Sequence, residues 1–425
     1  MLTKRAVLAL PFAFSLTLAM PRPSLSQPSR SPEAVAIGAD VLAASGFAEL
    51  AGKRVGLITN QTGRVGDAHL ADLIGKAANV KLTAILAPEH GFRGKVEAGK
   101  RVSDAVDAET GAPVFSLYGA TKKPTPAMLR NVDVLVFDIQ DIGVRFYTYI
   151  STMGLAMQAA AAARIPFVVL DRPNPLGGEY VSGFVLEPKL TSFVGQFPIP
   201  IVHGMTVGEL ARMIKGQKLL PGLEGLDLRV IEMKGWQRSM RWPQTRRAWV
   251  ATSPNIPTFE SALVYPGIGV VGELEVSEGR GTPTPFSLVG APWLDAPRVV
   301  AKLNALNLPG VKFEPATFTP RPIAGVAESP RFAGKALTGV RVVVTDVARI
   351  EPLEMGMHVL AAVVAEARSK GVAGVFPNLA MFNAIAGTRR LHSMLTAGND
   401  GAAIIAAWQA EVARFKAQRA SYLIY

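Results

Sequence analysis

Residues 87–94 (APEHGFRG) include the side chains best suited to acid–base chemistry. Pro88 fixes the backbone as it leaves an apolar run, and the two glycines permit a tight turn. A carboxylic acid at Glu89, beside the ring of Phe92, would be partly desolvated and held ready as a proton donor. Arg93 would either bind an anionic substrate or pair with Glu89 and merely fix the loop. The segment therefore predicts either a general acid or a structural ion pair.

A second cluster combines charged and aromatic side chains within twelve residues. Its members are Asp138, Asp141, Arg145, Tyr147 and Tyr149. Such groups are suited to binding sugar hydroxyls and to packing on the face of a sugar ring. The alternative is a helix N-terminus whose acids complement the helix dipole. That alternative explains Asp141 well, and the run of arginine and tyrosine less well.

The second half of the chain repeats the combination of an acid and an arginine between glycines. In residues 276–282 (VSEGRGT), Glu278 and Arg280 alternate with Gly279 and Gly281. Two carboxylates at a suitable separation are what most glycosidases need. Glu278 could meet Glu89 only across a cleft between two domains.

The elements that must position these residues alternate in type in the N-terminal half. Short apolar runs predict strands at 54–59, 82–87, 114–117, 132–138 and 167–171, with helices at 69–77 and 150–164. This alternation indicates a parallel sheet covered by helices. Asn60, Glu89, Asp138 and Asp171 each lie at or just after the end of one of these strands. Because open parallel sheets bind ligands at that edge, we predict that the four side chains share one crevice, although Asp171 could simply cap its turn.

Beyond residue 173 the alternation becomes looser. Thr206 and Glu209 form a capping-box pattern that predicts a helix over 206–215. Further elements are predicted as strands at 228–232 and 339–345 and helices at 296–306, 355–369 and 402–418. The tryptophan- and proline-rich passage 236–257 separates two domains, which we place at 35–250 and 251–425. The fold class predicted is α/β.

Several reaction classes are excluded by what the sequence lacks. It has no cysteine, so neither thiol catalysis nor cysteine-ligated zinc is available. Residues 267–272 (GIGVVG) match a dinucleotide fingerprint literally, but the required strand–turn–helix context is missing. No GxSxG elbow occurs. The five histidines have no metal-ligand spacing, so we predict no metal site: His69, His90, His203, His358 and His392.

The N-terminus has the layout of a secretory signal peptide. Lys4 and Arg5 precede an apolar run at 6–19 and small residues at 24–26. We predict a signal peptide over 1–26 and a disordered leader over 27–34, and hence a periplasmic or extracellular protein. The apolar run is shorter than the roughly 20 residues that span a bilayer. We therefore expect no stable membrane insertion after cleavage, with a retained anchor as the alternative.

The charge favours an anionic partner outside the cytoplasm. The formal net charge of +12 becomes +9 when Lys4, Arg5 and Arg22 are removed with residues 1–26. A basic exported protein suits a cell-wall polymer, although a generally basic proteome would explain the charge equally well. The basic residues are scattered and match no nucleic-acid motif, so we predict no nucleic-acid partner.

Seven strings together resemble the exo-β-N-acetylmuramidase family, long known only as a domain of unknown function. They are LITNQTGR, APEHGFRG, VFDIQDIGVRFYTYISTM, VLDRPNPLGG, HGMTVGELA, SPNIPT and VSEGRGTPTPF, and the resemblance runs from about residue 41 to the C-terminus. It implies a Rossmann-like N-terminal domain, a smaller α+β C-terminal domain and an active site in the cleft between them. It also implies removal of terminal β-linked N-acetylmuramic acid from non-reducing ends of peptidoglycan fragments, without a cofactor.

The resemblance places the catalytic glutamate at Glu89. In the resulting hypothesis Glu89 protonates the departing oxygen, and Glu278 or Asp138 activates water or stabilises the transition state. An arginine would bind the lactyl carboxylate of muramic acid. The candidate substrate-binding residues are Asn60, His90, Arg93, Asp141, Arg145, Tyr147, Tyr149, Asp171, His203 and Arg280.

Two passages depart from the family pattern near the expected cleft. Residues 272–276 read GELEV in place of a Gly-Thr-Asn run, and residues 245–249 read TRRAW in place of Thr-Gly-Leu-Pro-Trp. They leave the choice of substrate open. The alternatives are a non-catalytic periplasmic protein that binds muropeptides and a β-N-acetylhexosaminidase of shifted specificity, because fold alone does not give function.

Overall fold

The computed structural model describes residues 1–2, 6, 8–11, 33–93 and 105–425. The predicted signal peptide and leader lie largely outside the described residues. Residues Ala34–Tyr425 form one unit, described below. No helix in the described part of the chain is long and apolar enough to cross a membrane.

Seven strands form a central sheet, and buried β-branched and leucine residues make up most of its longer strands. The strands of the described residues, in chain order, are β1 Arg54–Thr59, β2 Arg64–Val65, β3 Ala68–His69, β4 Lys81–Ala87, β5 Ala105–Val106, β6 Pro113–Ser116, β7 Val134–Asp138, β8 Phe167–Leu170, β9 Leu228–Ile231, β10 Leu288–Ala291, β11 Val311–Phe318 and β12 Leu337–Val344. The sheet order is β5-β6-β4-β1-β7-β8-β9. All its pairs are parallel except β5 with β6. The parallel sheet predicted from the alternating pattern is confirmed.

Strands β4, β1, β7 and β8 are neighbours in the sheet, so their carboxyl ends meet along one edge. Thr59 and Asp138 are register partners there. The Thr59 Oγ1 donates to the carbonyl oxygen of Asp138 at 2.9 Å. The four polar residues at the ends of these strands do lie along one edge, as the sequence predicts.

Helices cover the sheet and build the second half. In chain order they are α1 Gly38–Ala44, α2 Leu70–Lys76, α3 Tyr149–Ala163, α4 Val207–Gly216, α5 Phe259–Val271, α6 Ala296–Ala305, α7 Pro352–Ser369, α8 Leu379–Ala386, α9 Arg390–Ala397 and α10 Gly401–Arg419. The capping box at Thr206 and Glu209 is confirmed. The Thr206 side chain accepts from the Glu209 amide, and Glu209 accepts from the Thr206 amide at 3.0 Å.

The C-terminal half contains an antiparallel sheet of order β10-β12-β11, packed beside α5, α6 and α7. Its strand β12 and helices α6, α7 and α10 match predicted elements, whereas β10, β11 and α5 were not predicted. One hydrophobic cluster runs from Ile58 on β1 to Phe415 on α10, so both halves share a core. The mixed α/β class, with a Rossmann-like first half and an α+β second half, is confirmed. The domain boundary at residue 250 stays a prediction.

The glycines of the GIGVVG string belong to a helix, and one of them serves helix packing. They lie within α5 and at its C-cap, and a Cβ on Gly267 would overlap the carbonyl oxygen of Pro352. A Cβ on Gly356 of α7 would in turn overlap the Gly267 backbone. The two glycines let α5 and α7 approach closely, which accounts for Gly267 without a nucleotide.

Candidate active site

Glu89 stands on a tight turn at the edge of the sheet. Strand β4 ends at Ala87, and the amide of Gly91 donates to the carbonyl oxygen of Pro88 at 3.0 Å. His90 and Gly91 both adopt left-handed backbone, with φ of 71° and 76°. Left-handed backbone at a non-glycine residue is strained, and such strain is concentrated at functional sites. The turn therefore places the half-buried carboxyl group of Glu89 directly after a buried strand.

Two hydroxyl groups hold the Glu89 carboxyl. Thr148 Oγ1 donates to Glu89 Oε2 at 2.9 Å. The Tyr118 hydroxyl also bonds to this carboxyl. Burial raises the pKa of Tyr118, and the negative charge and hydrogen bond of Glu89 raise it further. Since hydroxyl groups rotate and can donate or accept, the pair can stabilise Glu89 with or without its proton.

Glu89 lines a cavity of about 640 Å³, a size typical of small-molecule sites. The wall comes from both halves of the chain. From the first half it includes Glu89, His90, Tyr118, Lys122, Phe146, Tyr147, Thr148, Tyr149, Ser192, Phe193 and Val194. From the second half it includes Ser253, Asn255, Ile256, Tyr265, Glu273, Arg280, Phe286, Asn378, Ala380, Met381, Ala384 and Ile385. The aromatic rings and the few charged groups make the wall mainly apolar with localised charge.

Arg280 brings positive charge into this cavity. Its Nε lies 3.2 Å from Glu278 Oε1 and its guanidinium lies over the ring of Phe286. The side chain keeps 41% of its surface exposed. Burial lowers its pKa, but the charges of Glu278 and other neighbours outweigh burial and raise the pKa overall. The guanidinium is therefore charged, lines the cavity and pairs with Glu278.

Glu273 is a carboxylate of the cavity wall that the sequence did not single out. It follows the C-terminus of α5, with its amide donating to the Val270 carbonyl oxygen. Burial raises the pKa of Glu273, and the like charge of Glu278 raises it further, against the opposing effects of Arg280 and Arg331. Glu278 itself is buried and does not line the cavity. Glu278 therefore serves mainly to hold Arg280.

Two family models together match almost the whole chain. The model described as "Exo-beta-N-acetylmuramidase NamZ, N-terminal" matches residues 55–260, and its C-terminal counterpart matches residues 263–425. The chain belongs to the NamZ family. It is also 42% identical over 409 residues to the peptidoglycan β-N-acetylmuramidase NamZ of Bacillus subtilis (strain 168), covering 95% of this chain and 94% of that protein.

Two crystal structures of DUF1343 family proteins from Bacteroides fragilis NCTC 9343 have the same fold. One is 40% identical with a TM-score of 0.84, and the other is 35% identical with a TM-score of 0.75. Each alignment covers 92% of this chain and 99% of the solved chain. NamZ-family membership, proposed above from seven strings, is confirmed.

Of the predicted site residues in this NamZ-family chain, five line the cavity: Glu89, His90, Tyr147, Tyr149 and Arg280. The two tyrosines are buried, and both hydroxyls bind Thr252. Tyr147 donates to its Oγ1 at 2.8 Å and Tyr149 to its carbonyl oxygen at 2.6 Å. Their rings meet edge to face, with centroids 5.0 Å apart. Both tyrosines therefore line the cavity, whereas their hydroxyl groups are occupied by hydrogen bonds to Thr252.

Arg145, predicted as a possible ligand for a carboxylate, is corrected to a structural residue. Its fully buried guanidinium donates to the carbonyl oxygens of Phe184, Ile199 and Ile385 at 2.7, 2.9 and 3.0 Å. Burial lowers its pKa to about 9. Because Ile385 belongs to α8, this side chain ties the two halves of the chain together beside the cavity.

Asp138 and Arg93 also take other partners. Asp138, a predicted catalytic carboxylate, is fully buried, and Arg172 Nε donates to its Oδ1 at 2.7 Å. Arg93 donates to Asp107 at 2.8 Å and lies 3.4 Å from Asp72. Both interpretations of Arg93, as a partner of Glu89 and as a cavity cation, are therefore wrong in this structure. Neither side chain belongs to the cavity wall.

Three further candidates lie in the buried layer outside the wall. The Asn60 Oδ1 accepts from the Thr62 amide at 2.9 Å. Asp141 Oδ2 accepts from the Gly143 amide at 2.7 Å and lies 3.8 Å from His203 Nε2. These contacts shape the loops at the sheet edge, and a role of Asn60, Asp141 and His203 in substrate binding stays a prediction. Of the four strand-end residues, Glu89 lines the cavity and the other three do not, so the prediction of one shared crevice is wrong.

Asp171 is likewise corrected from substrate binding to a buried anchor. Thr206 Oγ1 and the Tyr425 hydroxyl donate to its Oδ2 at 2.7 and 2.8 Å, and the Gly208 amide donates to its Oδ1 at 2.8 Å. Burial raises its pKa to about 6 in spite of these hydrogen bonds. The carboxyl joins β8, α4 and the C-terminal tyrosine.

The raised pKa predicts a pH-dependent stability contribution from Asp171. The folded protein binds this proton more tightly than the unfolded chain does, so the contribution is fully present below about pH 4 and is lost as pH rises through about 6. Between those limits the wild type should lose about 2–3 kcal/mol of unfolding free energy relative to Asp171→Asn. Urea unfolding of both proteins from pH 4 to pH 8 measures this. If the unfolding free energies of the two proteins changed with pH in parallel, the predicted contribution of Asp171 would be contradicted.

The residues missed by sequence reasoning come mainly from distant segments. Tyr118 and the wall residues of α8 carried no local signal, whereas Glu273 lies in the GELEV passage noted near the expected cleft. The SPNIPT string, by contrast, does supply Ser253 and Asn255 to the wall. Among the described residues, no group of three or more acidic or histidine side chains is arranged to hold a metal ion.

Proposed function

We propose that the protein is an exo-acting glycoside hydrolase that removes terminal β-linked N-acetylmuramic acid from the non-reducing ends of peptidoglycan fragments. The observation that carries this proposal is the Glu89 carboxyl, held by Thr148 and Tyr118 on the wall of a sugar-sized cavity. The peptidoglycan β-N-acetylmuramidase NamZ of Bacillus subtilis, which aligns with almost the whole chain, supports the reaction class.

The bond cleavage uses Glu89 as the general acid. Its proton passes to the glycosidic oxygen as the bond from that oxygen to C1 breaks. Thr148 and Tyr118 donate to the carboxylate that remains. Water then adds its hydroxyl group to C1, and the proton that this water releases returns to the Glu89 carboxylate. The oxocarbenium-like sugar needs negative charge nearby, which Glu273 supplies from the same wall. Glu273 thus replaces Asp138 and Glu278 as the second carboxylate.

Arg280 is suited to recognising the lactyl carboxylate that distinguishes muramic acid from glucosamine. A guanidinium offers two parallel N–H donors to a carboxylate, which an ammonium group cannot do. Glu278 holds one side of Arg280, and the exposed remainder faces the cavity. Lys122, the other cation among the described residues of the wall, lies on an exposed loop.

The test compares a chromogenic β-N-acetylmuramide with the matching β-N-acetylglucosaminide. Wild type should prefer the muramide. Arg280→Lys should lower kcat/KM for the muramide by roughly 10–100-fold, as expected when one charge-assisted hydrogen bond of the two-point contact is lost, and should change kcat/KM for the glucosaminide little. Equal decreases on both substrates would contradict the assignment of Arg280.

The same assay separates the competing functions. A wild type that prefers the glucosaminide would indicate a β-N-acetylhexosaminidase of shifted specificity. Tight binding of the sugar without release of the aglycone would indicate a muropeptide-binding protein. Release of muramic acid from the chain end, and not from internal positions of a longer fragment, would establish exo action.

The proposed site of action is the periplasm or the extracellular space. The charged, apolar and small-residue layout of residues 1–26 supports export. A net charge of +9 on the remaining chain, obtained as +12 minus the three basic residues removed, supports contact with an anionic wall polymer. Peptidoglycan fragments are the proposed partners, in the course of cell-wall turnover.

A further inference from the structure

The wall of the active-site cavity changes character with depth. Its floor is formed by buried side chains that include Phe146, Tyr147, Tyr149, Ile256 and Phe286. Its mouth is formed by exposed residues on three separate segments, which are Lys122, Ser192, Asn378, Ala380 and Met381. The described part of the wall thus has a buried floor and an exposed mouth, and a substrate longer than the terminal sugar extends toward the mouth.

Phe193 is the aromatic residue next to this mouth. It is half-buried and adjoins the exposed Ser192. The Nζ of Lys122 lies 4.6 Å from its ring centroid, within the range of a cation–π contact. The ring of Tyr118, whose hydroxyl bonds to Glu89, is tilted against Phe193 with centroids 6.3 Å apart. A continuous aromatic strip therefore leads from the acid to the mouth.

The first turn of α8 also contributes to the mouth. Asn378 caps this helix, with its Oδ1 accepting from the Met381 amide at 3.0 Å. Phe382 is fully buried, and Arg145 holds the carbonyl oxygen of Ile385. Met381 nevertheless keeps 39% of its surface exposed. An apolar, adaptable side chain is thus held on a fixed helix at the opening.

We propose that this mouth is a binding subsite for the leaving sugar, the N-acetylhexosamine that carries the oxygen protonated by Glu89. This inference rests on the proposed function. With the terminal sugar on the floor, the next sugar lies where Phe193 and Met381 are accessible. The apolar face of a pyranose can pack on an aromatic ring, and an acetamido methyl can pack on the thioether. Lys122 positions the Phe193 ring.

The experiment compares two substrates with alkoxide leaving groups, methyl β-N-acetylmuramide and the disaccharide of N-acetylmuramic acid β-linked to N-acetylglucosamine. Only the second fills the mouth. Phe193→Ala should lower kcat/KM for the disaccharide roughly tenfold, the factor expected when the leaving sugar no longer buries its apolar face on a ring. It should lower kcat/KM for the methyl glycoside by a clearly smaller factor, because that substrate lacks the sugar that would pack on Phe193. Met381→Ala should act in the same direction with a smaller decrease.

Leu379→Ala provides the matched control. Leu379 lies on the same helix and is 40% exposed, against 39% for Met381, but it does not line the cavity. The Leu379→Ala variant should leave kcat/KM unchanged for both substrates. The methyl glycoside also reports whether each variant remains folded and active.

Three results would overturn the subsite. They are equal decreases on both substrates in Phe193→Ala, no decrease on the disaccharide in Phe193→Ala, and the same decrease in Leu379→Ala as in Met381→Ala. A wild type inactive on both glycosides would overturn the proposed hydrolase as well. The results that contradict the proposed subsite therefore differ from the result that contradicts the proposed hydrolase activity.

Discussion

A Glu89→Gln variant should cleave the muramic acid–glucosamine disaccharide about 10²–10⁴-fold more slowly than wild type, the range typical of general acid catalysis. Glutamine keeps the size of the side chain and can still bond to Thr148 and Tyr118. It cannot give a proton to the departing oxygen. The decrease should therefore appear in kcat, measured as the release of reducing sugar.

The identity of the leaving group sharpens this prediction. A dinitrophenolate departs without needing a proton, so a dinitrophenyl β-N-acetylmuramide should be cleaved by Glu89→Gln with a much smaller decrease. A merely structural role would impair both substrates to the same extent. Equal decreases would assign Glu89 to holding the turn, and undiminished cleavage of the disaccharide would place the acid elsewhere.

Glu89 could be found from the sequence because its position depends on local signals. An apolar run, a proline and two glycines specify a strand followed by a sharp turn, and the structure has β4 ending at Ala87 with left-handed backbone at His90 and Gly91. The same holds for the helix that starts after Thr206, whose capping box is complete within four residues. Such features need no knowledge of distant residues.

Whether a strand-end side chain is buried or exposed to a ligand could not be predicted from local sequence signals. Asp138 and Asp171 lie at strand ends just as Glu89 does, yet Arg172 and Tyr425 take up their carboxyl groups below the surface. Tyr425 is 254 positions away from Asp171. Sequence periodicity predicts which edge of the sheet a residue reaches, whereas the packing of distant segments decides whether a ligand can reach it.

The helix α5 illustrates a second difficulty. Its 13 residues are mostly apolar, and Pro266 lies inside it, so neither an amphipathic period nor a clean boundary marks it as a helix. The glycines within it suggest a loop until α7 is placed against them. Because α5 escaped prediction, the carboxylate at its end, Glu273, was missed as well.

A Glu273→Gln variant should lower kcat/KM for the muramide by about 10²-fold, comparable to removal of one group that stabilises a transition-state charge. Its neighbour Glu275 offers a matched control. Glu275 pairs with Arg331 at 3.8 Å and does not line the cavity, so Glu275→Gln should retain near-normal activity. Comparable decreases in both variants would reduce Glu273 to a structural role.

The pH profile distinguishes a catalytic charge at Glu273 from simple packing. Burial first, and the charge of Glu278 second, raise the pKa of Glu273, so its negative charge is lost as pH falls through that raised value. The kcat/KM of wild type should therefore decline on the acid side at a higher pH than an ordinary carboxyl would produce. Glu278→Gln removes the like charge and should move this decline to lower pH. In Glu273→Gln the decline should vanish, and its persistence there unchanged would assign it to another group.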